Sequence, residues 1–162
     1  MPEEKGTEMA RDSRLSRMLH VLLHIDQAER GLTSDEIGRM LDTNPVVIRR
    51  TMAGLREQGY VTSEKGHGGG WKLARPLDQF TLRDVYAAIG EPPIFALGLA
   101  EDHPQCLVEQ AVNARLDDAL GKARQLLLDQ FAKVTLADLS GDFQARLAAH
   151  RERGCDGHGK ER

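Results

Sequence analysis

Arg49 and Arg50 stand side by side in the stretch "NPVVIRRTMAGLREQG", Asn44 to Gly59. A guanidinium is a planar fork that can donate two hydrogen bonds to a guanine edge or to a phosphate. Between Thr43 and Arg75 the basic residues are Arg49, Arg50, Arg56, Lys65, Lys72 and Arg75, against the acids Glu57 and Glu64. This basic surplus lies inside a chain whose formal net charge is -3. Local charge rather than the total governs attraction of a polyanion. A solvated face of mixed charge is the plain alternative, because short windows fluctuate.

The stretch "EKGHGGGWKLARP", Glu64 to Pro76, sets a glycine triplet beside the single tryptophan. A phosphate-cradling P-loop needs a strand before its glycines, a helix after them, and a lysine followed by Ser or Thr. Here Trp71-Lys72-Leu73 reads as a strand after the glycines, and no hydroxyl residue follows the lysine. A nucleotide loop is not expected. "YVTSEKG" and "GWKLAR" instead read as strands that make Gly66–Gly70 the tip of a β-hairpin. Small residues let such a tip approach a phosphate backbone, with Lys65 and His67 as contacts. A tight hairpin without a ligand is the alternative, and Trp71 is expected to pack the hairpin on the helical core.

Other chemistry-bearing residues are sparse. Cys106, in "DHPQCLVEQ", begins a helical pattern, where free amides favour thiolate. It is the candidate redox sensor; a plain small residue at a helix start is the alternative. Cys155 with His150 and His158 fits no recognised metal spacing. His20 and His24 are four apart, a spacing that can ligate zinc, but no third ligand is evident nearby. They are read as polar residues beside a packing contact, and no metal site is expected. No nucleophile–base pair and no carboxylate pair converges on one loop, so an enzyme is not expected.

The elements that position these residues follow from periodicity and punctuation. Residues 1–11 are polar and expected to be disordered. Leu15, Met18, Leu19, Leu22, Leu23 and Ile25 give one apolar helix face from about Ser13 to Glu29, ended by Gly31. Thr33 with Glu36 forms a capping box for a short helix that buries Ile37, Met40 and Leu41. Asn44-Pro45 opens the next helix, with Gly59 as its C-terminal cap. Val47 or Ile48, Met52 and Leu55 face inward, leaving Arg49, Arg50, Ala53 and Arg56 outside. After the hairpin, Thr81 caps "LRDVYAAIG". A long pattern from about Pro104 to Val134 carries Val108, Val112, Leu116, Leu120, Ala123, Leu127 and Phe131, and Thr135 caps a shorter helix.

This order predicts a mainly α chain with a small β-hairpin wing, a winged helix-turn-helix. The expected organisation is a DNA-binding domain at 12–90, a linker loop at 91–103, dimerisation helices at 104–149 and a flexible tail at 150–162. The second helix of a helix-turn-helix enters the major groove. On that reading Arg49 and Arg50 read bases or fix the helix there, with Thr43 and Asn44 at the mouth. Asn44, Arg56, Lys65, His67 and Lys72 mainly contact phosphates. A helix of about thirty residues spans ~45 Å, longer than the small domain needs, and a twofold partner is the common way to cover its stripe.

At 162 residues the chain can bury a real core, and 40% hydrophobic with 29% charged residues is a globular balance. Two cysteines cannot form a disulfide framework and are read as reduced cytosolic thiols. The start "MPEEKGTEMARDSR" has no apolar core region, so no signal peptide is expected, and no segment approaches ~18 consecutive apolar residues. A soluble cytoplasmic protein is expected.

The segment from "LTSDEIGRMLDTN" through "GGGWKLARPLDQFTLRDVYAAI" resembles the Rrf-two family of bacterial winged-helix transcription regulators, as does "VTLADL" after the long helix. The resemblance covers about Leu15 to Leu139, and the wing with its "LARP" continuation is its most specific part. It implies a homodimer whose long helices cross, each wing addressing one half of a palindromic operator. Several members hold an iron–sulfur cluster on three closely spaced cysteines and sense cluster, nitric oxide or redox state; others lack those cysteines. Here only Cys106 lies in that region, and one thiolate cannot hold a cluster alone. His103, or His20 or Asp12 of a partner's first helix, would have to join it, and no cofactor is expected. The function expected is sequence-specific transcriptional regulation by a homodimeric DNA-binding repressor on a palindromic operator, with a redox or effector response as a further expectation for this chain. A winged-helix protein-interaction module is the rival, and a mobility shift on genomic fragments separates the two.

Overall fold

The computed structural model describes residues 12–66 and 69–155. Helix α1 (Arg14–Gln27), α2 (Ser34–Met40) and α3 (Pro45–Glu57) are followed by strands β1 (Val61–Glu64) and β2 (Gly70–Leu73), a single 3-10 turn (Leu77–Gln79), α4 (Leu82–Ala88), α5 (Leu107–Phe131) and α6 (Leu136–Cys155). The strands pair antiparallel, from Val61 opposite Leu73 to Glu64 opposite Gly70. Mainly helical with a two-stranded wing, the chain has the expected winged helix-turn-helix fold. Residues 1–11, and His67 at the wing tip, lie outside the described residues.

Local chemistry explains the starts of α2 and α3. The Thr33 hydroxyl accepts from the Glu36 amide while the Glu36 carboxylate accepts from the Thr33 amide, closing the capping box of α2. Asn44 Oδ1 accepts from the Val46 amide at 2.8 Å, and Pro45 occupies the first turn, where no donor is needed. Gly59, at φ +75°, ends α3 with its amide on the Arg56 carbonyl, and Tyr60 N–H reaches the Leu55 carbonyl.

One core holds the winged region together. Leu22 and Ile25 of α1, Ile37 of α2, Ile48, Met52 and Leu55 of α3, Val61, Trp71, Phe80 and Val85 are buried in a single cluster that also takes in Leu136 of α6. Ile48, not Val47, supplies the first inward position of α3. Met40, expected inside, is exposed and Leu41 only half-buried, because α2 ends at Met40 and the chain turns there. "TLRD" at Thr81 and "TLAD" at Thr135 form equivalent caps, and their starts bridge antiparallel through Leu82 N–H to Val134 O and Leu136 N–H to Phe80 O. That bridge brings α6 back onto the winged region. α6 runs on to Cys155, past the boundary expected at 149, since Arg151, Glu152 and Arg153 are adequate helix formers.

Gly69 and Gly70 serve packing within the chain. Leu32 and Trp71 exchange backbone hydrogen bonds of 3.1 and 2.8 Å, which lays the Gly31–Leu32 backbone against the wing. A β-carbon on Gly70, whose φ is +126°, would stand 2.7 Å from the Leu32 carbonyl, and one on Gly69 would stand 2.4 Å from the Glu64 oxygen. No larger residue fits these positions without moving backbone.

Candidate nucleic-acid interface

The N-terminal half of α3 projects from the domain beside the wing. Val46, Val47, Arg49 and Arg50 are all exposed, while Ile48 anchors the helix beneath them. The amides of this helix start are taken within the chain, Val46 N–H by Asn44 Oδ1 and Val47 N–H by the Asn44 carbonyl, so it is the helix dipole that favours an anion here. A groove of about 380 Å³ runs between the start of α2 and the wing, and Arg49 and Lys65 line it together with Asp35 and Gly66. Trp71 closes its floor, 8% exposed, with Nε1 donating to Ser34 Oγ at 2.9 Å. As expected, this tryptophan packs the wing onto the helices.

The residues singled out from the sequence differ in how committed they are. Arg50, Arg56 and Lys65 are exposed and make no ion pair with the described acids. Arg49 lies 3.7 Å from Asp35, with both side chains more than half exposed. Such a pair is worth about 0–1 kcal/mol, so a stronger partner displaces it at little cost. Lys72 is held more firmly by Glu64 at 2.6 Å. Thr43 is half-buried; its hydroxyl donates to the Leu41 carbonyl at 3.1 Å and accepts from Arg17 at 3.2 Å, so it braces the turn. The Asn44 carbonyl oxygen is the helix cap. Arg75 stacks over the Tyr60 ring, 5.3 Å from its centroid.

Sequence reasoning passed over Arg17, Asp35 and Val46, and offered Val47 as an inward alternative to Ile48, whereas Val47 is exposed. The valines could have been found: Ile48, Met52 and Leu55 complete the inward stripe of α3, so two further apolar residues in its first turn have no core to enter. Arg17 and Asp35 carry no local signal, since folding alone brings them to the turn and the groove.

The remaining reactive residues lie elsewhere. Cys106 is exposed at the start of α5, and amides of Glu109 and Val108 hold its thiol below the usual range. His20 and His24 approach with Nε2 atoms 2.8 Å apart. Burial and the neighbouring His20 both push His24 down from the ordinary imidazole value.

The arrangement can be set beside known proteins. Residues 11–142 match the Rrf2 family, described as iron-dependent transcriptional regulators. YwnA of Bacillus subtilis, which bears the name of an HTH-type transcriptional regulator, is 29% identical over 129 residues, 79% of this chain and 95% of its own. A transcriptional regulator from Lactobacillus plantarum, known from its crystal structure, superposes with a TM-score of 0.67 at 25% identity, over 86% of this chain and 97% of that one. CymR, the global cysteine regulator of B. subtilis, shares the fold with a TM-score of 0.51 at 20% identity, over 82% of this chain and 98% of its own.

The iron named in the family's description finds no matching ligand set in the described residues. No three His, Cys, Asp or Glu side chains among them converge on one position. Cys106 is the one thiol whose side-chain surroundings are described, whereas clusters generally take four protein ligands. The described residues of a single chain do not fit an iron–sulfur cluster. On the extent of the match and the fold it specifies, the chain belongs to the Rrf2 family of transcriptional regulators.

Proposed function

We propose that the protein is a homodimeric, DNA-binding repressor that recognises a palindromic operator and blocks transcription by occupying it. The carrying observation is the exposed first half of α3, with Arg49 and Arg50, beside a wing that presents Lys65 along the same groove. Arg50 is the base-reading or groove-fixing arginine, because no described carboxylate competes for it. Arg49 joins it when phosphate or a guanine edge displaces Asp35. Val46 and Val47 supply apolar contact for thymine methyl groups. Lys65 and Arg56 contact phosphates, as does the Asn44 amide group, whose oxygen is taken by the cap. Lys72 contributes least, because contact with DNA first requires leaving Glu64.

The second copy is argued from α5. Leu107, Val108, Val112 and Leu116 form an exposed apolar strip on its first half. A strip of this kind is covered when two α5 helices cross, and a twofold dimer then presents two α3 helices to half-sites one helical turn or a multiple apart.

Titration of an operator fragment at several salt concentrations tests this reading. Arg50→Ala should cost about 1–3 kcal/mol at the cognate site and relax its sequence preference. Lys65→Ala should weaken every sequence alike and reduce the salt slope by about 1. Unchanged affinity for both variants would refute the assignment, and loss of a partner protein rather than DNA would favour the interaction module.

A further inference from the structure

We infer that His20 and His24 form a binding site for a single divalent cation of the zinc, nickel or copper type, at the joint between α1 and α6. The two residues are one helical turn apart, on the face of α1 opposite the buried Met18, Val21, Leu22 and Ile25. Their Nε2 atoms converge to 2.8 Å, with ring planes tilted by 50°. A metal bound at ~2.0–2.1 Å to each nitrogen, with an angle of ~90–110° between them, needs nitrogens about 2.9–3.3 Å apart. The side chains already point at a common position and need to part by only a few tenths of an ångström.

The surroundings suit such an ion. The histidines open into a cavity of about 100 Å³, also lined by Leu23, Gln27 and Phe143 of α6. Gln27 follows at the next turn on the same helix face, and its carboxamide oxygen is the one oxygen donor among the lining side chains. Water completes the coordination from the open side. Imidazole nitrogen selects borderline cations over magnesium or calcium. Without metal, the short Nε2–Nε2 contact requires one ring to donate and the other to accept. Metal binding replaces that shared proton, which moves to Nδ1 when the donor ring is neutral and leaves to solvent when the ring is doubly protonated, and both Nε2 lone pairs then face the cation.

The site is independent of the DNA-binding reading. Its position opposite the core of α1 means that substitutions there leave the hydrophobic cluster intact.

Calorimetric titration of the full chain with Zn2+, and separately with Ni2+, tests the inference. One equivalent per chain is expected. His20→Gln and His24→Gln should each weaken binding about 100-fold, since each removes the chelate advantage, and the double variant should bind more weakly still. Gln27→Ala should have a smaller effect. Electron paramagnetic resonance of the Cu2+ form should show two coordinated nitrogens, reduced to one or none in each histidine variant. Far-UV circular dichroism matching the wild type establishes that the variants are folded. Absence of metal uptake by the wild type would overturn the site. So would wild-type affinity in His20→Gln and His24→Gln, or loss of uptake in a Cys155→Ser/His158→Gln variant that keeps both α1 histidines.

Discussion

α3 and α5 carry apolar residues at the same helical spacings and end in opposite surroundings. Ile48, Met52 and Leu55 of α3 are almost fully buried, whereas Val108 of α5 is 72% exposed and Val112 is 52% exposed. Over its 25 residues α5 buries only Leu128. Its far end is anchored: Phe131 meets Tyr86 edge-on at 6.1 Å, and Arg124 pairs with Glu91 at 2.6 Å. The same pattern has therefore been completed by the chain itself in one region and left open in the other. Periodicity identifies a face that avoids water, but not whose atoms cover it.

The sharpest way to break this contrast is to attack the finished side. Phe80 is fully buried between the wing, α4 and the start of α6, and Phe80→Ala should cost about 3–5 kcal/mol in a urea titration. A loss well below 1 kcal/mol would mean that the winged region is not a packed core. On the open side, Val112→Glu with Leu116→Glu should barely move the unfolding midpoint of monomeric chain. It should convert a dimer to a monomer in sedimentation and lower operator affinity by about 100-fold, the gain that two linked half-sites supply. A dimer that survives this charge would place the interface elsewhere.

Between those extremes stands the wing. Gly70→Ala forces a β-carbon to 2.7 Å from the Leu32 backbone at an unfavourable φ. A loss of about 1–3 kcal/mol is expected, with the weakening most visible as faster exchange of the Leu32 and Trp71 amides. Equal stability of the two proteins would show that the Leu32 backbone is not held against the wing.

The smallest effect is electrostatic. Arg30, with added hydrogen bonds from Thr33, holds the Glu36 carboxyl at about 2, against an ordinary value of 4.5. Because the folded value is the lower one, these bonds contribute fully above pH 4.5 and are lost as the pH falls toward 2. Glu36 is solvent-accessible, so the contribution is modest. Glu36→Gln should lower stability slightly in the neutral region and flatten the acid limb, so that the two proteins converge near pH 2; an identical acid limb would dismiss the pairing.

What could be read in advance was local. Thr33 with Glu36, Asn44 with Pro45, and Thr81 with Asp84 announce helix starts because the groups that satisfy each first turn lie within three residues. The hairpin and the inward stripe of α3 were legible for the same reason. The site was legible as a set of exposed arginines on α3. It was not legible that Glu64 would take Lys72, that Asp35 would stand beside Arg49, or that the Thr43 hydroxyl would brace the turn. Those pairings join residues that the chain brings together only by turning, and composition does not record them.

The order of covalent bonds therefore determined where each helix begins, which side of it avoids water, and that a basic segment follows the turn, since caps, periods and charges are properties of neighbours in the chain. Tertiary packing decided the rest. It set which cations remain without a carboxylate, pressed the glycines of the wing against Leu32, placed Phe143 of α6 beside the two α1 imidazoles, and left half of α5 uncovered. Distances between side chains on different elements exist only once the core has closed, and those distances set how strongly each charge is held.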